Sequence, residues 1–103
     1  MKEKILKLLS DLISIESVNP IFDKRSQGEG DVADFIENYC KRLGLRVSRQ
    51  KVLPGRDNVL IELRVPGATQ TLLFESHMDT VALEPAGKEA LKPKLIDLSL
   101  IHI

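Results

Sequence analysis

His77 and Asp79, two residues apart in Glu75-Ser76-His77-Met78-Asp79-Thr80, are the side chains whose types and spacing could do chemistry. A histidine that binds a metal through one ring nitrogen usually donates its other N–H to a carboxylate, which settles tautomer and ring orientation. On extended backbone the two side chains leave the same face, because side-chain direction in a strand repeats every second residue. Just upstream, Leu72-Leu73-Phe74 is an unbroken apolar run, which predicts a strand buried on both faces. The reading is therefore a buried strand over 71–76 that delivers His77 and Asp79 at its carboxyl end, where ligands gather in open α/β sheets. His-x-Asp alone fits an ordinary surface or core histidine about as well. The weight therefore falls on the elements that would have to position it.

Those elements follow from periodicity. Ile5, Leu8, Leu9 and Leu12 recur at helical spacing with Lys2, Glu3, Lys4, Lys7 and Asp11 opposite, so a helix over about 2–15, packed on a sheet, is expected. Pro20 disfavours helix at Asn19 and ends it. Gly28-x-Gly30 has neither a strand before it nor a Gly-Lys-Ser/Thr after it, which excludes a phosphate loop. Ser26-x-x-Glu29 instead fits a capping box opening a second helix over 29–43, with Glu29 and Asp31 at the positive end of its dipole. Val32, Phe35, Ile36, Tyr39 and Leu43 form its stripe, Cys40 sits beside it as a core residue rather than a nucleophile, and Gly44 is placed to stop it. Residues 45–52 and 58–65 alternate as strands around a turn at Pro54-Gly55-Arg56-Asp57. The Pro66-Gly67 turn then predicts antiparallel pairing of 58–65 with 71–76. The order helix, helix, strand, strand, strand implies an α/β fold with helices packed on a mixed β-sheet.

Composition narrows the function classes. Fifteen basic and fifteen acidic residues cancel, and no like-charge block stands out, so neither a nucleic-acid footprint nor an acidic-membrane binder is indicated. No stretch approaches the roughly 20 apolar residues of a membrane span, and Lys7 and Asp11 interrupt any leader-like apolar core at the amino terminus. A single cysteine, Cys40, excludes an internal disulfide, in keeping with a reducing, cytoplasmic setting.

Taken in order, these landmarks resemble the amino-terminal part of the M20 family of zinc metallopeptidases and amidohydrolases, in the branch of the acetylornithine deacetylases and succinyl-diaminopimelate desuccinylases. The matching stretches are Leu12 to Pro20, Gly28 to Phe35, Leu43-Gly44-Leu45, Asp57 to Leu60, and most specifically Leu72 to Val81; the resemblance as a whole covers about 5–97. The resemblance implies that 1–97 is part of a catalytic metallohydrolase domain. It implies that His77 is the first zinc ligand and that Asp79 is the acidic residue bonded to it, a member of the catalytic machinery. It further implies two zinc ions (with cobalt or manganese as substitutes), a small N-acyl amino acid or peptide as substrate, cleavage of a C–N amide bond, and a homodimeric parent.

The chain leaves the family pattern at Leu98, where Lys92-Pro93-Lys94-Leu95-Ile96-Asp97 would continue with glycine. No Gly-Arg-Gly segment, bridging aspartate or glutamate base follows. Residues 98–103 are therefore expected to be an aberrant tail, His102 is not assigned as a ligand, and this chain by itself is expected to be inactive. Two other readings stay open: a small non-catalytic interaction module that keeps the scaffold, and a mononuclear metal enzyme completed by an oligomer partner or by His102.

Overall fold

The computed structural model of the protein describes residues 1–83 and 87–96, with the backbone of 99–101. Two helices, α1 (Lys2–Ser14) and α2 (Gly30–Arg42), precede an antiparallel hairpin of β1 (Arg46–Leu53) and β2 (Arg56–Glu62). A short 3-10 helix, Gly87–Leu91, leads into a second antiparallel pair, β3 (Lys94–Ile96) and β4 (Ser99–Ile101). Helices combined with small sheets place the chain in the mixed α/β class. Asp97 and His102 lie outside the described residues, whereas 99–101, expected to belong to a tail, pair with β3.

Helix α2 and the first hairpin form the best-packed unit. Pairing of Val47 with Ile61, Arg49 with Val59 and Lys51 with Asp57 puts these residues on one face of the hairpin. That face meets α2: Arg49 reaches Asp34 at 2.7 Å and Glu37 at 3.1 Å, while Val32 and Ala33 of α2 are buried. Gly44 ends α2 as expected, at φ +80°. Its N–H bonds to Lys41 O at 2.9 Å and that of Leu45 to Cys40 O at 3.1 Å, the paired bonds of a Schellman stop. The hairpin turn is tighter than expected. Only Pro54-Gly55 lies between the strands, Arg56 and Asp57 already belong to β2, and a register shift between Lys51 and Leu53 absorbs the mismatch of this turn with strand twist.

Three expectations fail. Residues 71–76 form no strand, and Leu72, Leu73 and Phe74 are 78%, 81% and 86% exposed. The Pro66-Gly67 turn itself forms, with Ala68 N–H bonded to Val65 O at 3.1 Å and Gly67 at φ +80°. Beyond it, however, the two arms do not pair: β2 stops at Glu62, and Leu63 and Val65 stay exposed. An apolar run records a preference for burial on two faces, but neighbouring strands and covering layers must supply that burial. Among the described residues none does, so the mixed sheet is replaced by two antiparallel pairs. Helix α1 likewise buries none of its residues, and Ile5 is 57% exposed. The capping box is also absent. Ser26 donates its hydroxyl to Val18 O and accepts from Gly28 N–H, so it closes the loop ahead of α2 instead of capping the helix.

The buried apolar residues among those described are Val18, Val32, Ala33 and Ala90. The Cα radius of gyration is 15.6 Å, against about 13 Å for a compact domain of 100 residues. The two numbers agree on a small core with apolar segments spread around it.

Candidate functional site

His77 and Asp79 come together although the strand meant to carry them does not form. The device that holds them is a short parallel bridge between Val18 and Thr80. Asn19 N–H bonds to Thr80 O and Thr80 N–H to Ser17 O, each at 2.9 Å. These bonds seat the exit of α1 against 78–80. Val18, 2% exposed, and Ser17, 5% exposed, fill the seam.

Next to the bridge, Asn19 donates from Nδ2 to Asp79 Oδ2 at 2.7 Å, while its Oδ1 accepts from Ile21 N–H at 2.9 Å. The other carboxylate oxygen, Oδ1, faces His77 Nδ1 at 3.2 Å, and the Asp79 carbonyl lies 2.9 Å from the same nitrogen. Both partners of Nδ1 are acceptors, so they favour a proton on Nδ1, and in the neutral ring Nε2 then presents its lone pair. The His77 side chain is 85% exposed, so that lone pair faces open solvent. The side-by-side disposition expected from the spacing is thus present, without the strand.

A second charged pair lies close by. Arg56 Nε donates to Glu29 Oε1 at 2.9 Å, joining the hairpin turn to the start of α2. Glu29 is 8% exposed, and its Oε2 is buried without a hydrogen-bond partner. Arg56 is held above its usual range, first by the bond to Glu29 and also by the charge of Asp79. The periodicity reading placed Glu29 at a helix start and Arg56 in a turn, and it missed their pairing. In the sequence Asn19 stands out only as the residue before Pro20 and as part of the Leu12 to Pro20 stretch. Its affinity for an Asx turn was the available signal, but its partner sixty positions away had none. Cys40 is half-buried, and burial pushes its thiol up, in line with a packing role.

Asp79 is held below the usual carboxylate range, first by the Asn19 amide; burial pulls the other way, and His77 adds to the lowering. A carboxyl lowered in the folded state contributes stability that is present above its unfolded value and is lost as pH falls through that value to the folded one. The urea midpoint is therefore expected to drop below about pH 4. In Asn19→Ala that acid-side slope should flatten, as followed by urea titration at a series of pH values.

The donor set fits one coordination position of a metal. Nε2 of His77 is free, and Asp79 fixes the ring behind it. Zinc, however, takes three or four protein ligands, and no group of three or more histidine, cysteine or acidic side chains converges among the described residues. Neither His77 nor Asp79 lines either of two surface clefts, one beside α1 at Lys7 and Tyr39, the other between Phe22, Arg25 and Leu83. No described helix is long and apolar enough to cross a membrane. Comparison with protein-family models, curated proteins and solved structures finds no match in any of the three.

Proposed function

We propose that this chain carries the first metal-ligand segment of an M20-type hydrolase acting on a C–N amide bond, through deacylation of N-acyl amino acids or peptide cleavage. His77 is its zinc ligand and Asp79 the carboxylate that orients it. The observation behind this reading is the Asn19–Asp79–His77 chain of contacts, in which acceptors at Nδ1 favour a proton there and would free Nε2 to bind a metal. In such enzymes bound zinc polarises the amide carbonyl and makes hydroxide available near neutral pH. The described residues offer one ligand, for which weak zinc binding and no hydrolysis are the expected outcome. The contribution of the chain is to orient one imidazole.

Zinc titration by calorimetry is expected to show binding far weaker than the roughly 10 kcal/mol or more of complete structural sites, abolished by His77→Ala. Zinc binding that survives His77→Ala would count against the ligand assignment. The genomic reading frame past Asp97 tests the family assignment: an Asp-Gly step, a Gly-Arg-Gly segment and further acidic residues support it, and their absence sinks it.

The exposed run Leu72-Leu73-Phe74 favours a second reading, a non-catalytic interaction module. Cooperative unfolding of a monomeric chain supports that module, and aggregation counts against it.

A further inference from the structure

We infer that Asn19 is the positioning residue that sets the His77 imidazole, acting through Asp79. Three hydrogen bonds and the bridge of its neighbour fix Asn19. Its backbone N–H is held by Thr80 O at 2.9 Å, and its neighbour Val18 forms the parallel bridge to Thr80. Its Oδ1 is taken by Ile21 N–H at 2.9 Å, closing an Asx turn, and its Nδ2 is left aimed at Asp79 Oδ2 at 2.7 Å. The amide cannot flip without losing both side-chain bonds, because an oxygen would then face a carboxylate and an NH2 a backbone N–H. Pro20 restricts the backbone of Asn19 to extended conformations, which stiffens the same point.

The geometry divides the two oxygens of Asp79. Oδ2 belongs to Asn19, and Oδ1 is left for His77 at 3.2 Å. A carboxylate anchored on one oxygen cannot turn away from the ring, whereas the His77 side chain, at 85% exposed, has almost no packing of its own to orient it. Beside the Asp79 carbonyl, which already lies 2.9 Å from Nδ1, the second acceptor that holds the His77 ring is therefore set by a residue nearly sixty positions upstream, at the exit of α1. This role extends the proposed function. Its value to a metal rests on His77 being the ligand, but the positioning itself does not.

The test uses the full chain with Asn19→Asp. This substitution keeps the acceptor for Ile21 N–H and replaces only the Nδ2 donor with an oxygen that repels Asp79. Nitrogen NMR of His77 at pH 8.5, where an ordinary imidazole is neutral, should show the Nδ1–H tautomer in the parent chain. In the variant the ratio of Nδ1–H to Nε2–H should fall about fivefold or more, with the Thr80 amide still protected from exchange. Zinc alone, titrated into both proteins, should bind several-fold more weakly to the variant. An unchanged tautomer ratio in a variant whose Thr80 amide is protected overturns the inference. So does a parent chain in which Nε2–H predominates, whether or not the variant folds. A shifted tautomer with unchanged zinc affinity supports the role of Asn19 and counts instead against His77 as ligand.

Discussion

Leu73→Lys is expected to keep the chain monomeric at concentrations where the parent chain associates. Leu72, Leu73 and Phe74 are each more than three-quarters exposed, and complete burial of such side chains is worth about 1.5–3 kcal/mol apiece. The six residues Thr69-Gln70-Thr71-Leu72-Leu73-Phe74 contain no charge, proline or glycine, and no described strand pairs with this stretch. An exposed, uncharged apolar segment without a pairing partner is a template for association with another chain. Association has its own entropic cost, yet a net loss of only about 1.4 kcal/mol from one lysine raises the association midpoint roughly tenfold. Sedimentation equilibrium over a hundredfold concentration range measures this directly. A parent chain that stays monomeric throughout, indistinguishable from Leu73→Lys, would show that the run is covered in solution.

The second large effect concerns stability. Val18→Ala should cost roughly 2 kcal/mol: about 0.8 kcal/mol for each of the two carbon groups removed, plus a cavity contribution where the seam fails to collapse. Val18 is the most completely buried large side chain described, in a core with few other members. A loss of this size is a sizeable part of the total stability of a small domain and corresponds to a fall of about 10 °C in Tm. Its position makes it more than a packing residue. The bridge to Thr80 runs through Val18, and its carbonyl accepts the Ser26 hydroxyl. Loosening it should free the loop carrying Asn19 and, with it, the Asp79 carboxylate. Urea denaturation followed by circular dichroism measures the loss. Ile21→Ala, at an 81% exposed position three residues away, is the control and should move the midpoint by no more than about 0.5 kcal/mol. Equal effects at the two positions would show that the seam around Val18 is not the core of the folded chain.

The sequence by itself determined the local features. Both helices, the Gly44 stop and the Pro54-Gly55 and Pro66-Gly67 turns all follow from contacts within a few residues, where propensity and backbone restriction decide. The His77–Asp79 pairing was legible for the same reason, since a spacing of two on extended backbone is a local property. The resemblance in Leu72 to Val81 also belongs to the sequence alone. Only the tertiary structure decided which apolar residues find partners. Leu72, Leu73 and Phe74 read as buried but lie exposed, because burial depends on layers that local pattern does not encode. Only the tertiary structure, too, brought Asn19 to Asp79 and Arg56 to Glu29, contacts made across sixty and twenty-seven positions. The His-x-Asp pair could be read from its spacing, but the anchor that gives it one orientation comes from the far end of the chain.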